Sequence, residues 1–195
     1  GYGSAIPGLE HAISSNEAFH LKELPRRIVI QGGGYIAVEF ACIFAGLGSN
    51  VTLVYRGENI LRGFDDDVRT HLRADMETHG IRVVTGLTVA AIENLGEHYS
   101  AKLSNGNHVT ADKVMFATGR VPHVKKLGLE NAGVALAKNG GVAVDEYSRT
   151  SVPSIYAVGD VTNRINLTPV AIREGHAFAD TVFGGKPTKV DHANV

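Results

Sequence analysis

The sequence of 195 residues is poor in several residue types, and each scarcity excludes a class of protein. It has no tryptophan and a single cysteine, Cys42. One thiol cannot form a disulfide within the chain, so these residues hold neither a structural disulfide nor a dithiol redox centre. Cys42 lies in a predicted helix, where we expect a small buried apolar side chain.

Long apolar runs and blocks of one charge are also missing. No apolar stretch reaches the roughly 20 residues of a membrane-spanning helix, and no signal-peptide pattern opens the chain. The 19 basic and 20 acidic residues give a net charge of −1. We therefore expect no membrane partner, no nucleic-acid partner and a cytoplasmic location. The nine histidines lack the spacing of metal ligands, so we predict no metal site. The first residue is Gly1 rather than Met, which is typical of an excised or processed chain.

Glycine is abundant, with 23 residues, and one glycine-rich turn carries the strongest motif. An apolar strand at residues 28–30 leads into the pattern G-x-G-x-x-A, formed by Gly32, Gly34 and Ala37. In such a motif the first glycine allows a tight turn, the second leaves room for a pyrophosphate, and the small third residue lets helix and strand pack closely. Helical spacing of apolar residues follows, then a second strand at 51–55. This complete βαβ unit predicts a dinucleotide site.

The end of the second predicted strand indicates which cofactor binds. Sites that prefer NAD place an acidic residue about 20 residues after the first glycine. This sequence instead has Tyr55 and Arg56 there, followed by Arg62. Because paired guanidinium groups suit a 2′-phosphate, we predict NADPH. The alternative is that both arginines are solvated loop charges.

The rest of the first half completes an α/β pattern. Three acids at residues 65–67 precede a helix, where they suit capping better than metal binding. The other predicted elements are that helix at 68–79, a third parallel strand at 81–84, a β-meander at 88–93, 98–103 and 108–110, and a core strand at 113–117.

After residue 122 the composition changes, which predicts a second domain. We expect a short strand at 140–145 and a buried strand at 155–160. A helix follows to about residue 183, with Thr168 as its N-cap and Pro169 at its first position. Asp160, at the end of a predicted strand, is either a ligand group or a turn-forming residue.

These segments together resemble the FAD-dependent pyridine nucleotide–disulfide oxidoreductase family, and within it the glutathione reductases. The resemblance covers essentially the whole chain and rests on residues 32–39, 55–56 with 62, 117–120, 156–160 and 167–171. It implies an α/β fold, with a Rossmann-like NADPH-binding domain (parallel sheet plus β-meander) at residues 1–120. The C-terminal part of an FAD-binding domain would follow at residues 121–195.

The resemblance also implies a set of cofactor-binding residues. On the NADPH side these are Gly32, Gly33, Gly34, Tyr35, Ile36, Ala37, Glu39, Arg56, Arg62 and Gly119. On the FAD side they are Asp160, which matches an aspartate bonded to the ribityl chain, Thr168, at a helix start aimed at the flavin ring, and Asn166, near the nicotinamide. Tyr35 resembles the tyrosine that covers the flavin.

The implied activity passes electrons from NADPH to FAD, to a disulfide and then to glutathione disulfide. The C-x-x-x-x-C redox pair and the catalytic histidine of the family have no counterpart here, so no catalytic residue is assigned and His176 and His192 receive no role. We expect the chain alone to be inactive and its parent to form a homodimer through a domain outside these residues. Trypanothione and mercuric relatives remain alternatives, whereas the arginine pair disfavours the NAD-using dihydrolipoamide branch. A non-catalytic NADPH-binding module is a further alternative.

Overall fold

The computed structural model describes residues 6–193 and 195, so the expectation about Gly1 lies outside the described residues. The chain divides into two compact units, Gly1–Gly119 and Arg120–Val195, here called the N-terminal and C-terminal units. This division falls one residue before the domain boundary expected from the sequence.

The N-terminal unit is built on a four-stranded parallel sheet of β1 (Arg27–Gln31), β2 (Asn50–Tyr55), β3 (Arg82–Thr85) and β7 (Lys113–Phe116). The strands lie in the order β3-β2-β1-β7. Two helices, α2 (Tyr35–Gly46) and α3 (Asp66–Thr78), connect the first three strands. A 3₁₀ turn (Leu9–His11) and the short helix α1 (Ser15–Ala18) precede β1.

Both faces of this sheet are covered, which explains the continuous apolar runs of its strands. Ile28 and Ile30 of β1 pack in a buried cluster with Phe40 of α2 and Met76 of α3. Val29 points to the other face and joins a second cluster, to which the β-meander contributes. The alternation along β1 therefore separates a helix-covered face from a meander-covered face.

The predicted β-meander is confirmed as a three-stranded antiparallel sheet of β4 (Val89–Asn94), β5 (Tyr99–Leu103) and β6 (His108–Ala111). The Asn105-Gly106 turn joins its last two strands, and Gly106 has the positive φ of 88° that such a turn requires. Gln31 at the end of β1 ties the two sheets together, because its buried Oε1 accepts a hydrogen bond from the Val89 amide at 2.6 Å.

The three acids lie at a helix start as predicted, with Asp65 before α3 and Asp66 and Asp67 in its first turn. The Asp65 side chain is the N-cap and accepts hydrogen bonds from the amides of Asp67 and Val68 at 2.9 and 3.3 Å. Across the described residues, no three or more His, Cys, Asp and Glu side chains are grouped so that they could hold a metal ion. Residues 6–193 and 195 also include no helix long and apolar enough to cross a membrane.

The C-terminal unit contains α4 (Leu129–Ala132), a 3₁₀ turn (Gly159–Thr162) and α5 (Thr168–Val182). The two strands predicted in this unit are wrong. Residues 140–145 and 155–160 each contribute only an isolated bridge, Leu136 to Val142 and Arg149 to Tyr156. A strand needs hydrogen-bonded neighbours along its length, and the described residues of this unit supply pairing at single positions only.

Two smaller expectations are also corrected. Leu167, not Thr168, is the N-cap of α5, so Thr168 is the first helical residue and Pro169 the second. Cys42 is exposed rather than buried. The buried face of α2 includes Ala41, and one further residue rotates the side chain by about 100°, off that face. What burial Cys42 does have, with the charge of Asp75, raises the pKa of its thiol.

Candidate functional site

The first glycine of the turn after β1 is required by the backbone itself. Gly32 has φ of 149°, and its amide donates to the carbonyl of Val54 at 2.9 Å. A Cβ at this position would lie 2.4 Å from the carbonyl oxygen of Ala117 and 3.0 Å from the Cβ of Ala37. Ala37 is fully buried, so a larger residue there would also press on the turn. Gly32 and Ala37 therefore allow α2 to start close against the sheet.

Gly33, between the two glycines of the motif, packs against an aromatic side chain. A Cβ on Gly33 would lie 2.4 Å from the ring of Tyr55, and a Cβ on Gly57 would lie 2.6 Å from the same ring. Tyr55 thus lies against the backbone of both glycines. The sequence interpretation gave Gly33 only a cofactor role. The sequence pattern that could have predicted this packing is an aromatic residue at the end of β2, Tyr55, together with a glycine in the turn, Gly33, and another two residues after the tyrosine, Gly57.

Gly34 differs from its two neighbours because the fold leaves space around it. It is the N-cap of α2, its φ of −83° suits any residue, and a Cβ there would meet nothing within 4 Å. Because glycine has no side chain, the N-cap offers the amides of the first turn of α2 no side-chain acceptor. A helix N-terminus of this kind attracts phosphate groups through its amides and its dipole.

The residues predicted to lie beside the nicotinamide are on the first two turns of α2. Tyr35 is 38% exposed, Glu39 is exposed and Ile36 is half-buried. Tyr35 and Glu39 are four residues apart and so lie on the same face of the helix. Gly119, at the end of the same unit, is exposed with φ of 133° and has open space around it.

Arg56 and Arg62 lie on the segment that follows β2, here called the arginine loop (residues 56–64). Both side chains are exposed, and neither forms a hydrogen bond or salt bridge with the described residues. The Leu61 amide donates to the carbonyl of Gly33 at 2.6 Å, which fixes the loop against the glycine turn. Arg62, as the next residue, therefore follows directly from a contact with that turn. The structure brings the loop and the turn together at the carboxyl ends of β1 and β2.

In the C-terminal unit, Asp160 and Asn166 line one cavity of about 170 Å³. Asp160 is exposed on the 3₁₀ turn, and the amide of Asn166 donates to Oδ1 of Asn163 at 3.0 Å. Arg120 and His123 line the same cavity, and the sequence gave no reason to select them. Thr168 is exposed at the start of α5 and is not part of the cavity lining.

A buried carboxylate organises the segments around this cavity. Glu174 of α5 is 1% exposed, and its Oε2 accepts from the Gly159 amide at 2.6 Å. Its Oε1 lies 2.9 Å from Nη2 of Arg164 and 2.7 Å from Nε2 of His192. The sequence interpretation missed this group. The available signal was a glutamate spaced four residues after Val170 and three before Ala177, on the apolar face of the helix.

Comparison with protein families gives a direct match. Residues 4–175 match the model of the pyridine nucleotide-disulphide oxidoreductase family. The chain belongs to this family. Glutathione reductase from Burkholderia cepacia is 54% identical to this chain over 190 residues, which cover 97% of this chain and 42% of that protein. Trypanothione reductase from Trypanosoma congolense is 50% identical over 194 residues, covering 97% and 39%. The chain therefore spans about two fifths of the length of these relatives.

Solved structures agree with the family assignment. The HOCl-induced flavoprotein disulfide reductase RclA from Escherichia coli superposes with a TM-score of 0.88 at 29% identity, covering 97% of this chain and 44% of that one. LpdA from Mycobacterium tuberculosis has a TM-score of 0.85 at 26% identity, covering 97% and 41%. The resemblance stated from the sequence and the Rossmann-like α/β fold are both confirmed.

Proposed function

We propose that this chain is the NADPH- and FAD-binding portion of a flavoprotein disulfide reductase of the glutathione reductase type. One observation carries the cofactor part of the proposal. The open N-terminus of α2 at Gly34 lies beside a loop that carries two exposed arginines and is hydrogen-bonded to Gly33. A pyrophosphate suits the first feature, and a 2′-phosphate suits the second.

On the NADPH side, the residues divide into three groups by what they would do. Gly32, Gly33 and Ala37 shape the turn, and Gly34 leaves the approach to the α2 amides open. Arg56 and Arg62 would hold the 2′-phosphate through charge-assisted hydrogen bonds. The residues that would lie along the nicotinamide half are Tyr35, Ile36, Glu39 and Gly119.

On the FAD side, the cavity in the C-terminal unit suits a polyol chain. The carboxylate of Asp160 can accept hydrogen bonds from hydroxyl groups, and the side chain of Asn166 lines the same space. The start of α5 at Thr168 offers the positive end of a helix dipole, which favours negative charge on a reduced ring. When bound, NADPH supplies a hydride and FAD accepts it.

The reaction of the whole protein is proposed from its relatives. Those named glutathione reductase, at 54% and 50% identity, support glutathione disulfide as the substrate. Those named trypanothione reductase, at 50% and 51% identity, support a related disulfide as the second candidate. A homodimer and a cytoplasmic location complete the proposal. Turnover of each disulfide by the longer protein that contains this chain would decide between the two substrates.

The experiment that tests the cofactor assignment is a titration of the chain with NADPH and with NADH. Replacing both arginines, as Arg56→Ala with Arg62→Ala, should weaken NADPH binding by about 2–4 kcal/mol, at one to two kcal/mol per charge-assisted contact, and leave NADH unchanged. Arg82→Ala is the matched control, because it removes an exposed arginine from the amino end of β3. Equal losses for both cofactors would contradict the 2′-phosphate assignment.

A further inference from the structure

Helix α3 makes its strongest contact with the arginine loop through the side chain of Arg69. Nε of Arg69 donates to the carbonyl of Ile60 at 2.8 Å, and Nη2 donates to the carbonyl of Asn59 at 3.1 Å. Nη1 of the same residue pairs with Asp66 in the first turn of α3. The planar fork of a guanidinium suits this arrangement, because it binds two consecutive carbonyls at once. The Arg69 side chain is only 18% exposed.

The other side of the loop is held by the glycine turn. The Leu61 amide donates to Gly33, and the side chains of Ile60 and Leu61 are buried in the core of the N-terminal unit. Leu61 has φ of 53°, a left-handed conformation that costs free energy for a branched residue. Such a conformation persists where the surrounding contacts determine it. Here those contacts lie on both sides: carbonyls directed to Arg69 and an amide directed to Gly33.

Arg62 directly follows Leu61, the last loop residue that these contacts hold. The direction in which the chain leaves Leu61 sets where the backbone of Arg62 starts relative to the glycine turn. Arg69 has all three of its nitrogens engaged by Ile60, Asn59 and Asp66, so its influence on a ligand passes through the loop. Arg73, one turn further along α3, makes a weaker version of this contact, a single 3.2 Å hydrogen bond from Nη1 to the carbonyl of Glu58.

We infer that Arg69 is a positioning residue for cofactor specificity. It holds the carbonyls of Asn59 and Ile60 so that Arg62 presents its guanidinium beside the glycine turn, where a 2′-phosphate is read. The inference rests on the proposed function, because it concerns the same phosphate site. Arg56 and Arg62 would contact the phosphate directly, whereas Arg69 would fix the loop backbone that carries them.

The test is a double-mutant cycle on the 195-residue chain, with NADPH and NADH dissociation constants as the readout. Arg69→Ala should lower the ratio of NADPH to NADH affinity by about tenfold, the value of one well-formed charge-assisted contact. In the Arg62→Ala background, the same change should have little further effect on the ratio. A merely structural role for Arg69 would weaken both cofactors and add to the loss from Arg62→Ala.

Two further variants separate charge from geometry. Arg82→Ala removes the same charge from the same unit at the amino end of β3, away from the arginine loop, so an equal fall in the ratio would point to long-range electrostatics and overturn the inference. Arg69→Lys keeps the charge without the fork and should recover only part of the preference. It also provides the test if Arg69→Ala does not fold, which a thermal melt followed by circular dichroism would reveal.

The outcomes distinguish this inference from the proposed function. If the unmodified chain shows no preference for NADPH, or keeps its preference when Arg56→Ala and Arg62→Ala are combined, the 2′-phosphate assignment fails and the inference fails with it. If the preference survives in Arg62→Ala alone, the 2′-phosphate assignment to Arg56 stands and the inference about Arg69 fails. If Arg62→Ala loses the preference while Arg69→Ala and Arg69→Lys both retain it, only the positioning role is overturned.

Discussion

Glu174 accepts a hydrogen bond from the backbone amide of Gly159, with 2.6 Å between Oε2 and the nitrogen. This contact joins α5 to the residue that precedes Asp160. The other oxygen of the same carboxylate meets Arg164 and His192. One buried acid therefore fixes the 3₁₀ turn, the segment before α5 and the end of the described chain.

Removing this carboxylate should destabilise the C-terminal unit. Glu174→Ala leaves the half-buried Arg164 without its carboxylate partner and the buried Gly159 amide without its acceptor, so we expect a loss of about 1–3 kcal/mol. Glu174→Gln keeps the shape and one acceptor oxygen and should cost less. Urea denaturation measures both effects. Asp180→Ala removes an exposed acid from the same helix and serves as the control, and an equally small loss in all three variants would contradict this account.

The contrast between Gly33 and Gly34 yields a second prediction. Gly33→Ala places a Cβ 2.4 Å from the Tyr55 ring, so the ring must move, and we expect a destabilisation of about 1–3 kcal/mol. Gly34→Val extends into open space, so its expected cost is that of an apolar residue at a helix N-cap, about 0.5–1 kcal/mol. It should nevertheless weaken NADPH binding strongly, because the side chain fills the approach to the α2 amides.

Thermal melts and NADPH titrations of the two glycine variants test whether Gly33→Ala mainly lowers stability and Gly34→Val mainly weakens NADPH binding. The loss in Gly33→Ala with Tyr55→Ala should be smaller than the sum of the two single losses, since the conflict lies between these two positions. Undiminished NADPH affinity in a folded Gly34→Val protein would show that the pyrophosphate does not approach over Gly34.

The N-terminal unit could be predicted from sequence because its signals are local. The apolar runs of β1 and β2, the glycine turn after β1 and the acids at the start of α3 each indicate their structure over a few residues. The strand expected at 155–160 failed for a different reason. Its apolar pattern is the same, but strand formation depends on partner segments, and over residues 6–193 and 195 its strand pairing is the single bridge between Arg149 and Tyr156.

The residues of the candidate site also differ in whether a local sequence pattern could identify them. The glycine motif and the arginine pair are sequence patterns with a known geometry, so they could be selected directly. Arg69 and Glu174 could not, because their importance comes from carbonyls and amides 9 to 15 residues away along the chain. The spacing of an arginine within a polar helix does not distinguish a side chain that binds loop carbonyls from one that is only solvated.

A third prediction concerns pH and the ion pair between Arg27 and Asp112, which joins the start of β1 to the residue before β7. The side-chain hydrogen bond from Arg27 lowers the pKa of the Asp112 carboxyl, and the backbone amide of Arg27 donates to the same carboxylate at 2.8 Å. Because the pKa is lower in the folded state than in the unfolded one, the pair stabilises the fold above about pH 4, where the unfolded carboxyl is ionised. That contribution is lost as the pH falls through the folded value.

Asp112→Asn should therefore lower the melting temperature at neutral pH, and its deficit relative to the unmodified chain should shrink as the pH falls below about 4. Melting curves at a series of pH values measure this difference. Glu97→Gln, which removes an exposed carboxylate from the same unit, controls for the change in net charge. If the Asp112→Asn deficit stays constant across the series, the carboxylate contributes through packing or shape, and its ionisation does not stabilise the strand ends.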